Sequence, residues 1–277
     1  MHIFPLANLM LLCSVGAAQS DTKSPTGVVE VDLLFPRNET YAPTGNLPIV
    51  FSIQNAQVAS LIASKISLDL WDLNNSSRSL SGAVFDIDLK SDFSSNNDST
   101  YYAYYPVIQS GLEAESTYML RWTFFWTNCT EETRTRRGPE TIESNSTSWG
   151  VWFTTKTGAK SMDVGSISGS CPEKNQALAF NVAATHKVAP GVDWTGGETC
   201  GEVASSIPDP IPCRTLVSPS AATSISASIK SRLCSSNTGG SYVDCSPKEE
   251  NSGALKVSIS SKVGLMVGFV TASQLWF

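Results

Sequence analysis

Apolar and polar residues alternate with a period of two in many segments of the chain, most of them in its first half. The first such run places four apolar side chains on one face of a predicted strand: Val29, Val31, Leu33 and Phe35. Glu30 and Asp32 face away from that side, and Pro36 ends the run. The same alternation recurs at 47–53, 66–70, 85–89, 118–126, 149–153 and 178–184. This period is the spacing of side chains on one face of a strand, so each run predicts a β-strand.

The predicted strands are short and separated by polar turns, without a long helical pattern between them. Such spacing indicates a mainly β fold, an immunoglobulin-like antiparallel β-sandwich, with a β-barrel as the structural alternative. The strongest run carries Trp122, Phe124 and Trp126 on one side and Arg121 and Thr123 on the other. We therefore expect its aromatic side to lie in the core.

The pattern changes after Cys200, where three prolines at alternate positions within 205–212 favour an extended connector. Ser218 followed by Pro219 is typical of a helix start. Four apolar residues then recur at helical spacing: Ala222, Ile225, Ile229 and Leu233. The predicted organisation is a β-sandwich over 24–204, followed over 205–246 by the connector and a short helix that disulfides staple in place.

Both ends of the chain are predicted to be removed from the mature protein. An apolar run before Ala18 is typical of a signal peptide over 1–18, although it carries no Lys or Arg. Residues 251–277 combine small residues, a polar spacer and an apolar tail, which is the layout of a GPI-anchor signal with attachment at Asn251 or Ser252. A single-pass membrane helix is the alternative, but it needs about 20 apolar residues and this tail is shorter. The predicted partner is the GPI glycolipid, and the predicted location is extracellular, on the outer leaflet of the plasma membrane or in the cell wall.

Six cysteines remain once Cys13 leaves with the signal peptide: Cys129, Cys171, Cys200, Cys213, Cys234 and Cys245. In an oxidising compartment this number predicts three disulfides, whose pairing the sequence leaves open. Zinc binding is disfavoured because the chain has no C-x-x-C pair and the mature part keeps one histidine. Neither a metal nor a cofactor is therefore predicted.

Six N-x-S/T sequons predict N-glycosylated surface loops. They lie at Asn38, Asn74, Asn75, Asn97, Asn128 and Asn145. Charged residues make up 16% of the chain, and loss of Lys256 and Lys262 with the tail changes the net charge from −6 to −8. An acidic surface argues against nucleic acid as a partner.

No residue is predicted to be catalytic. His186 is expected to be either a packed or a strand-end imidazole. A Ser-His-Asp site with Asp193 stays an alternative that no G-x-S-x-G sequence supports. The nearest carboxylate pairs for a glycosidase are Asp86 with Asp88 and Asp69 with Asp72.

Aromatic residues are stronger candidates for ligand contact. Tyr101, Tyr102, Tyr104 and Tyr105 lie on both faces of one predicted strand, so some become exposed if this strand lies at the edge of its sheet. Flat aromatic faces stack against sugar rings. Cell-wall glycan is therefore the ligand that we consider for these tyrosines.

Several segments resemble a known family. These are the signal peptide, the segment VDLLFPRNETYAP at 31–43, the segment WTGGETC at 194–200 and the helix before Cys234. They are similar to secreted proteins of filamentous ascomycete fungi that are catalogued as a domain of unknown function. The resemblance covers nearly all of the mature chain. It implies a fungal surface protein and supplies no catalytic residue.

Two functions are consistent with these features. The leading hypothesis is a non-enzymatic, GPI-anchored and N-glycosylated protein of the cell surface or cell wall, with a structural or recognition role. The alternative is an extracellular carbohydrate-active enzyme that acts on cell-wall glycan, which the acidic pairs and the aromatic residues favour. The sequence does not name a ligand for either one.

Overall fold

The computed structural model describes residues 25–75, 78–80, 85–88, 100–130, 143–188, 198–212, 214, 216–235 and 243–246. The strands within these ranges are β1 (Gly27–Phe35), β2 (Thr40–Tyr41), β3 (Asn46–Gln54), β4 (Lys65–Asp72), β5 (Arg78–Ser79), β6 (Phe85–Asp88), β7 (Thr100–Ile108), β8 (Thr117–Asn128), β9 (Glu143–Thr155), β10 (Ala177–Lys187) and β11 (Thr199–Val203). Two α-helices are described, α1 (Ala56–Ala59) and α2 (Pro219–Ser235). Short 3-10 turns lie at Ser60–Ile62, Ser110–Glu113, Val164–Ile167 and Lys174–Gln176.

The strands form two sheets. In the first sheet the order is β11-β10-β1-β3-β7, and every neighbouring pair is antiparallel. In the second sheet the order is β2-β9-β8-β4-β5, with β6 also pairing with β4. Its pairs are antiparallel except for the two-residue parallel contact between β2 and β9. The prediction of a mainly β, antiparallel fold is confirmed, and the arrangement is compatible with an immunoglobulin-like sandwich.

The core lies between the two sheets and consists of the apolar faces that alternation predicts. Phe51 of the first sheet meets Trp122 of the second with ring centroids 5.4 Å apart, and Phe180 meets Phe124 at 5.2 Å. All four rings are buried. A buried aromatic side chain removes about 150–250 Å² from water, which is worth roughly 4–6 kcal/mol at 25 cal/mol per Å². These cross-sheet contacts therefore account for much of the attraction between the sheets.

Disulfides connect the sheets and close the end of the helix. Cys129 directly follows β8 of the second sheet and bonds to Cys200 in β11 of the first sheet. Cys234 in α2 bonds to Cys245. Cys171 is disulfide-bonded as well. The expectation of disulfides is confirmed for these residues, whereas Cys213 lies outside the described residues.

The helix predicted after the connector is confirmed as α2. The backbone N–H of Ala221 donates a hydrogen bond to Ser218 Oγ at 3.2 Å, so Ser218 caps the helix. The four residues at helical spacing are its buried ones, and the helix packs against β7 and the turn at 164–167. None of the helices in the described part of the chain is both long and apolar enough to cross a membrane.

Several sequence predictions concern residues that the structure does not describe. They are the signal peptide at 1–18, the GPI-anchor signal at 251–277 with Asn251 and Ser252, the sequon at Asn97, and Asp193. These stay predictions.

Candidate functional site

The outward side of the second sheet combines exposed aromatic and polar side chains. Strand register arranges these side chains in rows across β4, β8 and β9: Trp71, Met119 and Trp152; Asp69, Arg121 and Gly150; Ser67, Thr123 and Ser148; Lys65, Phe125 and Ser146. We call this set the outer face. Since residues in direct register point to the same side of a sheet, each row lies on one surface.

Trp152 is the most prominent member of the outer face, with half of its surface (50%) exposed. A Cβ atom placed on Gly150 would lie 3.5 Å from Trp152 Cη2 and 3.8 Å from Met119 Sδ. The indole of Trp152 therefore packs over Gly150, which has no side chain. An added Cβ at position 150 would be in van der Waals contact with the ring.

Arg121 and Asp69 form a charge pair beside that tryptophan. Arg121 Nε donates to Asp69 Oδ2 at 3.0 Å, and Nη2 donates to the same oxygen. Half of the Arg121 side chain stays exposed, so the pair contributes at most about 1 kcal/mol to stability. Next to it, the hydroxyls of Thr123 and Ser148 are 2.8 Å apart. The pair and the hydroxyls offer donors and acceptors to a bound molecule at fixed positions.

A trough of about 690 Å³ runs along β4 and β8 on this side. Its lining comprises Ala63, Lys65, Ser67, Asp69, Arg121, Thr123, Phe125, Trp126 and Ser144. Most of these residues are polar or charged, and Phe125 and Trp126 add aromatic surface beside them. The trough therefore offers hydrogen-bonding groups next to aromatic side chains. A rigid sheet also presents these groups without a conformational change.

The tyrosine run lies on β7, which is an edge strand of the first sheet. Tyr101 and Tyr105 pair with the core residues of β3, whereas Tyr102 and Tyr104 point to the other side. All four are half-buried and packed against the core, and burial raises the pKa of Tyr102. Arg232 of α2 lies 5.7 Å from the Tyr105 ring centroid. Ligand contact by these tyrosines stays a prediction, and the helix covers part of the surface that it requires.

Asp69 and Asp72, one of the two carboxylate pairs considered for catalysis, do not lie on the same side of the sheet. Asp69 is on the outer face with Arg121, whereas Asp72 is buried, accepts a hydrogen bond from the Ser116 hydroxyl and accepts another from the Asn74 backbone N–H at 3.1 Å. They are three residues apart in one strand and so point to opposite sides of the sheet. The other candidate pair lies on β6, whose backbone pairs with β4.

A different carboxylate pair, Glu30 and Asp32, was not recognised as a site from the sequence. Both face away from the core side of β1 as predicted, but that side is covered too: Asp32 is 0% and Glu30 1% exposed. Ser52 Oγ donates to Asp32 Oδ2 at 2.9 Å, and Gln54 Nε2 donates to the same atom at 3.2 Å. Burial, followed by the charge of Glu30, raises the pKa of Asp32 to about 7. Leu34 on the same side of β1 was the available signal, since it is apolar where a solvent-facing strand would be polar.

His186 is half-buried near the end of β10. Its Nε2 lies 2.6 Å from Glu202 Oε2 on the neighbouring strand β11. This contact agrees with the interpretation of a strand-end imidazole that a neighbour holds in place. The described residues contain no cluster of three metal-ligating side chains.

The sequons differ in their surroundings. Asn38, Asn74 and Asn75 are exposed, whereas Asn128 and Asn145 are half-buried in β8 and β9. Asn128 Oδ1 also accepts a hydrogen bond from the Val203 backbone N–H at 2.9 Å. Modification at each of these positions stays a prediction.

Together, the two antiparallel sheets, the disulfide between them and the exposed outer face define a disulfide-linked, mainly β domain with a candidate recognition surface. The chain belongs to a family of domains of unknown function, DUF7136, whose family model matches residues 24–245. No curated protein sequence and no solved structure matches the chain.

Proposed function

We propose that this chain is a GPI-anchored, N-glycosylated protein of the fungal cell surface or cell wall, and that its outer face recognises wall glycan without cleaving it. The observation that carries the proposal is the half-exposed indole of Trp152, which lies over Gly150 beside the Arg121–Asp69 pair. A sugar ring has an apolar face of C–H groups and an edge of hydroxyls. Trp152 can stack against the apolar face, and the Arg121–Asp69 pair can form hydrogen bonds with the hydroxyls.

Single exposed apolar residues are common on proteins and need no explanation by themselves. Trp152 differs because register places Met119 and Trp71 in its own row and Arg121 in the next. An aromatic ring for stacking and a guanidinium for hydrogen bonding thus lie in neighbouring rows of the same face. The charges of Arg121 and Asp69 offset each other, which suits a neutral ligand.

Sequence features of the two ends of the chain support the proposed location. The small residues, spacer and apolar tail of 251–277 have the layout of an anchor signal, and the apolar start of the chain is typical of export. An anchored ectodomain faces the wall, where glycan is the abundant polymer. The exposed sequons at Asn38, Asn74 and Asn75 agree with an extracellular protein.

Binding to insoluble and soluble wall glycan fractions, measured with the secreted protein after enzymatic deglycosylation, tests the proposal. We expect Trp152→Ala to weaken binding by about 30-fold, the factor that corresponds to roughly 2 kcal/mol for an aromatic anchor. Ile207→Ala is the matched control, because Ile207 is an exposed apolar residue (66%) on the connector. It should leave the affinity unchanged.

Analysis of the glycan after incubation separates the two functions. Bound glycan of unchanged length supports recognition. Release of shorter sugars would support the alternative, a carbohydrate-active enzyme. Absence of binding to any wall fraction would contradict both.

A further inference from the structure

The buried carboxylate pair of Glu30 and Asp32 lies beneath the connector at 205–212. The backbone N–H of Ile211 donates a hydrogen bond to Glu30 Oε1 at 2.9 Å across a sequence separation of 181 residues. This bond joins the connector to the middle of the first sheet. On the connector surface, Lys174 Nζ adds an exposed ion pair with Asp209 at 3.3 Å.

The remaining carboxylate oxygens of the pair lack a hydrogen-bond donor while both groups are ionised. Glu30 Oε2 and Asp32 Oδ1 are buried and receive no hydrogen bond from the described protein atoms. Asp32 is within hydrogen-bonding reach of Glu30, and a single proton shared between the two carboxylates would satisfy both. Loss of that proton leaves two buried negative charges side by side, which is an unfavourable arrangement.

The neighbours of the pair supply no compensating charge. In register with Asp32 on β3, β7 and β10 are Ser52, Tyr102 and Ala177. In register with Glu30 on the same strands are Gln54, Thr100 and Ala179. Of these, Tyr102 can ionise, but burial raises its pKa from an already high value. On the connector side the contact is the neutral Ile211 N–H. The helix α1 and the turn Val164–Ile167, which also pack against β1, have no ionisable side chains. Among the described groups, Glu30 is thus the charge that Asp32 faces.

We propose that Glu30 and Asp32 form a proton-dependent contact that holds the connector tightly against the first sheet in acid and loosens it towards neutral pH. The proposal concerns the attachment of the C-terminal part of the domain and does not depend on the ligand of the outer face.

The direction of the pH effect follows from the protonation of Asp32 when the connector is closed against the sheet and when it is open. Its pKa is about 7 when the connector is closed, and 3.8 is the ordinary value that exposure would restore. The closed form therefore keeps a proton that the open form loses, and its stability falls as pH rises from 3.8 to 7. Linkage makes the equilibrium constant for opening of the connector increase by about tenfold per pH unit in this range. The constant levels off above pH 7. Glu39 does not contribute to this dependence between pH 5 and 7, because its pKa is lowered from the ordinary value of 4.5 and the group is ionised throughout that range.

Hydrogen exchange measured by mass spectrometry on the full chain tests the proposal, with peptides that cover the connector. After correction for the intrinsic pH dependence of amide exchange, we expect protection of the connector to fall at least tenfold between pH 5 and 7 and to change little from 7 to 8. Asp32→Asn should abolish this dependence, because the amide stays neutral and can still accept from Ser52 and Gln54. Glu30→Gln should reduce the dependence without abolishing it, since it removes the neighbouring charge but leaves Asp32 buried, while its carbonyl oxygen can accept from Ile211.

Asp209→Asn is the matched control, because it neutralises an acid on the connector surface without touching the pair. It should keep the pH dependence of the parent chain. Connector protection that stays constant between pH 5 and 7 in the parent chain would overturn the proposal. A dependence that keeps its full size in both Asp32→Asn and Glu30→Gln would overturn it as well. Two variants are used in case one of them does not fold.

Discussion

Removal of the two described disulfides one at a time should reveal which of them holds the fold together. The cross-sheet bond joins Cys129 and Cys200, which are 71 residues apart, whereas Cys234 and Cys245 are 11 apart. The perturbations are the paired substitutions Cys129→Ala with Cys200→Ala, and Cys234→Ala with Cys245→Ala. Alanine avoids leaving reactive thiols and buries no polar group in place of Cys129 and Cys200.

The expected magnitudes follow from loop length and burial. Closure of the longer loop restricts the unfolded chain more, so the loop-entropy treatment assigns about 4 kcal/mol to the cross-sheet bond and about 3 kcal/mol to the helix-end bond. Cys129 and Cys200 are also fully buried, whereas Cys234 and Cys245 are exposed. Loss of two buried sulfur atoms adds about 1 kcal/mol of packing energy. The cross-sheet variant should therefore be less stable than the other by roughly 2 kcal/mol.

Urea unfolding of the mature protein, followed by the fluorescence of the six tryptophans that remain once Trp276 leaves with the tail, measures both effects. The unfolded state expands more when the longer loop is opened, so the dependence of the free energy on urea should steepen more for the cross-sheet variant. Alkylation of the denatured, non-reduced parent chain is the control and should label none of the six mature cysteines. If the helix-end variant loses as much stability as the cross-sheet variant, the inference that the Cys129–Cys200 bond is the main staple of the domain is wrong.

Two further predictions concern the anchor and the tyrosines. Phosphatidylinositol-specific phospholipase C, after removal of any inositol acylation, should release the protein from membranes; retention of 263–277 in the membrane-bound protein by mass spectrometry would contradict the GPI prediction. Replacement of Tyr102 and Tyr104 with Ala should lower the free energy of unfolding by roughly 3 kcal/mol, because both rings pack against the core, and should leave glycan affinity unchanged. A loss of affinity at an unchanged melting temperature would instead identify β7 as the recognition surface.

Parts of the candidate site could be predicted from the sequence and parts could not. Alternation placed Arg121 and Thr123 on the side of β8 that faces away from the core, and both lie on the outer face. The same alternation in 149–153 leaves Trp152 on the polar side, which is the signal that could have identified it. Its relation to Gly150 and Arg121 depends on the register between β8 and β9, and that register follows from packing of the whole sheet.

The buried carboxylate pair shows why one face of a strand cannot be assigned from its own residues alone. Glu30 and Asp32 alternate with apolar neighbours as a solvent-facing row would, and this part of the prediction was correct. Glu30 is contacted by Ile211, which lies 181 residues further along the chain. A contact between residues so far apart does not change the pattern of apolar and polar residues near β1.

The sequence by itself determined the local elements, because a strand or a helix imposes its period on the residues that build it. The strand faces around Val31, Phe51 and Trp122, and the helix with its cap at Ser218, could be recognised for that reason. Only the tertiary structure decided which strands are neighbours, which cysteines bond and which polar side chains are covered. These depend on contacts between residues far apart in the chain, whose free energy comes from burial between whole sheets and not from any local pattern.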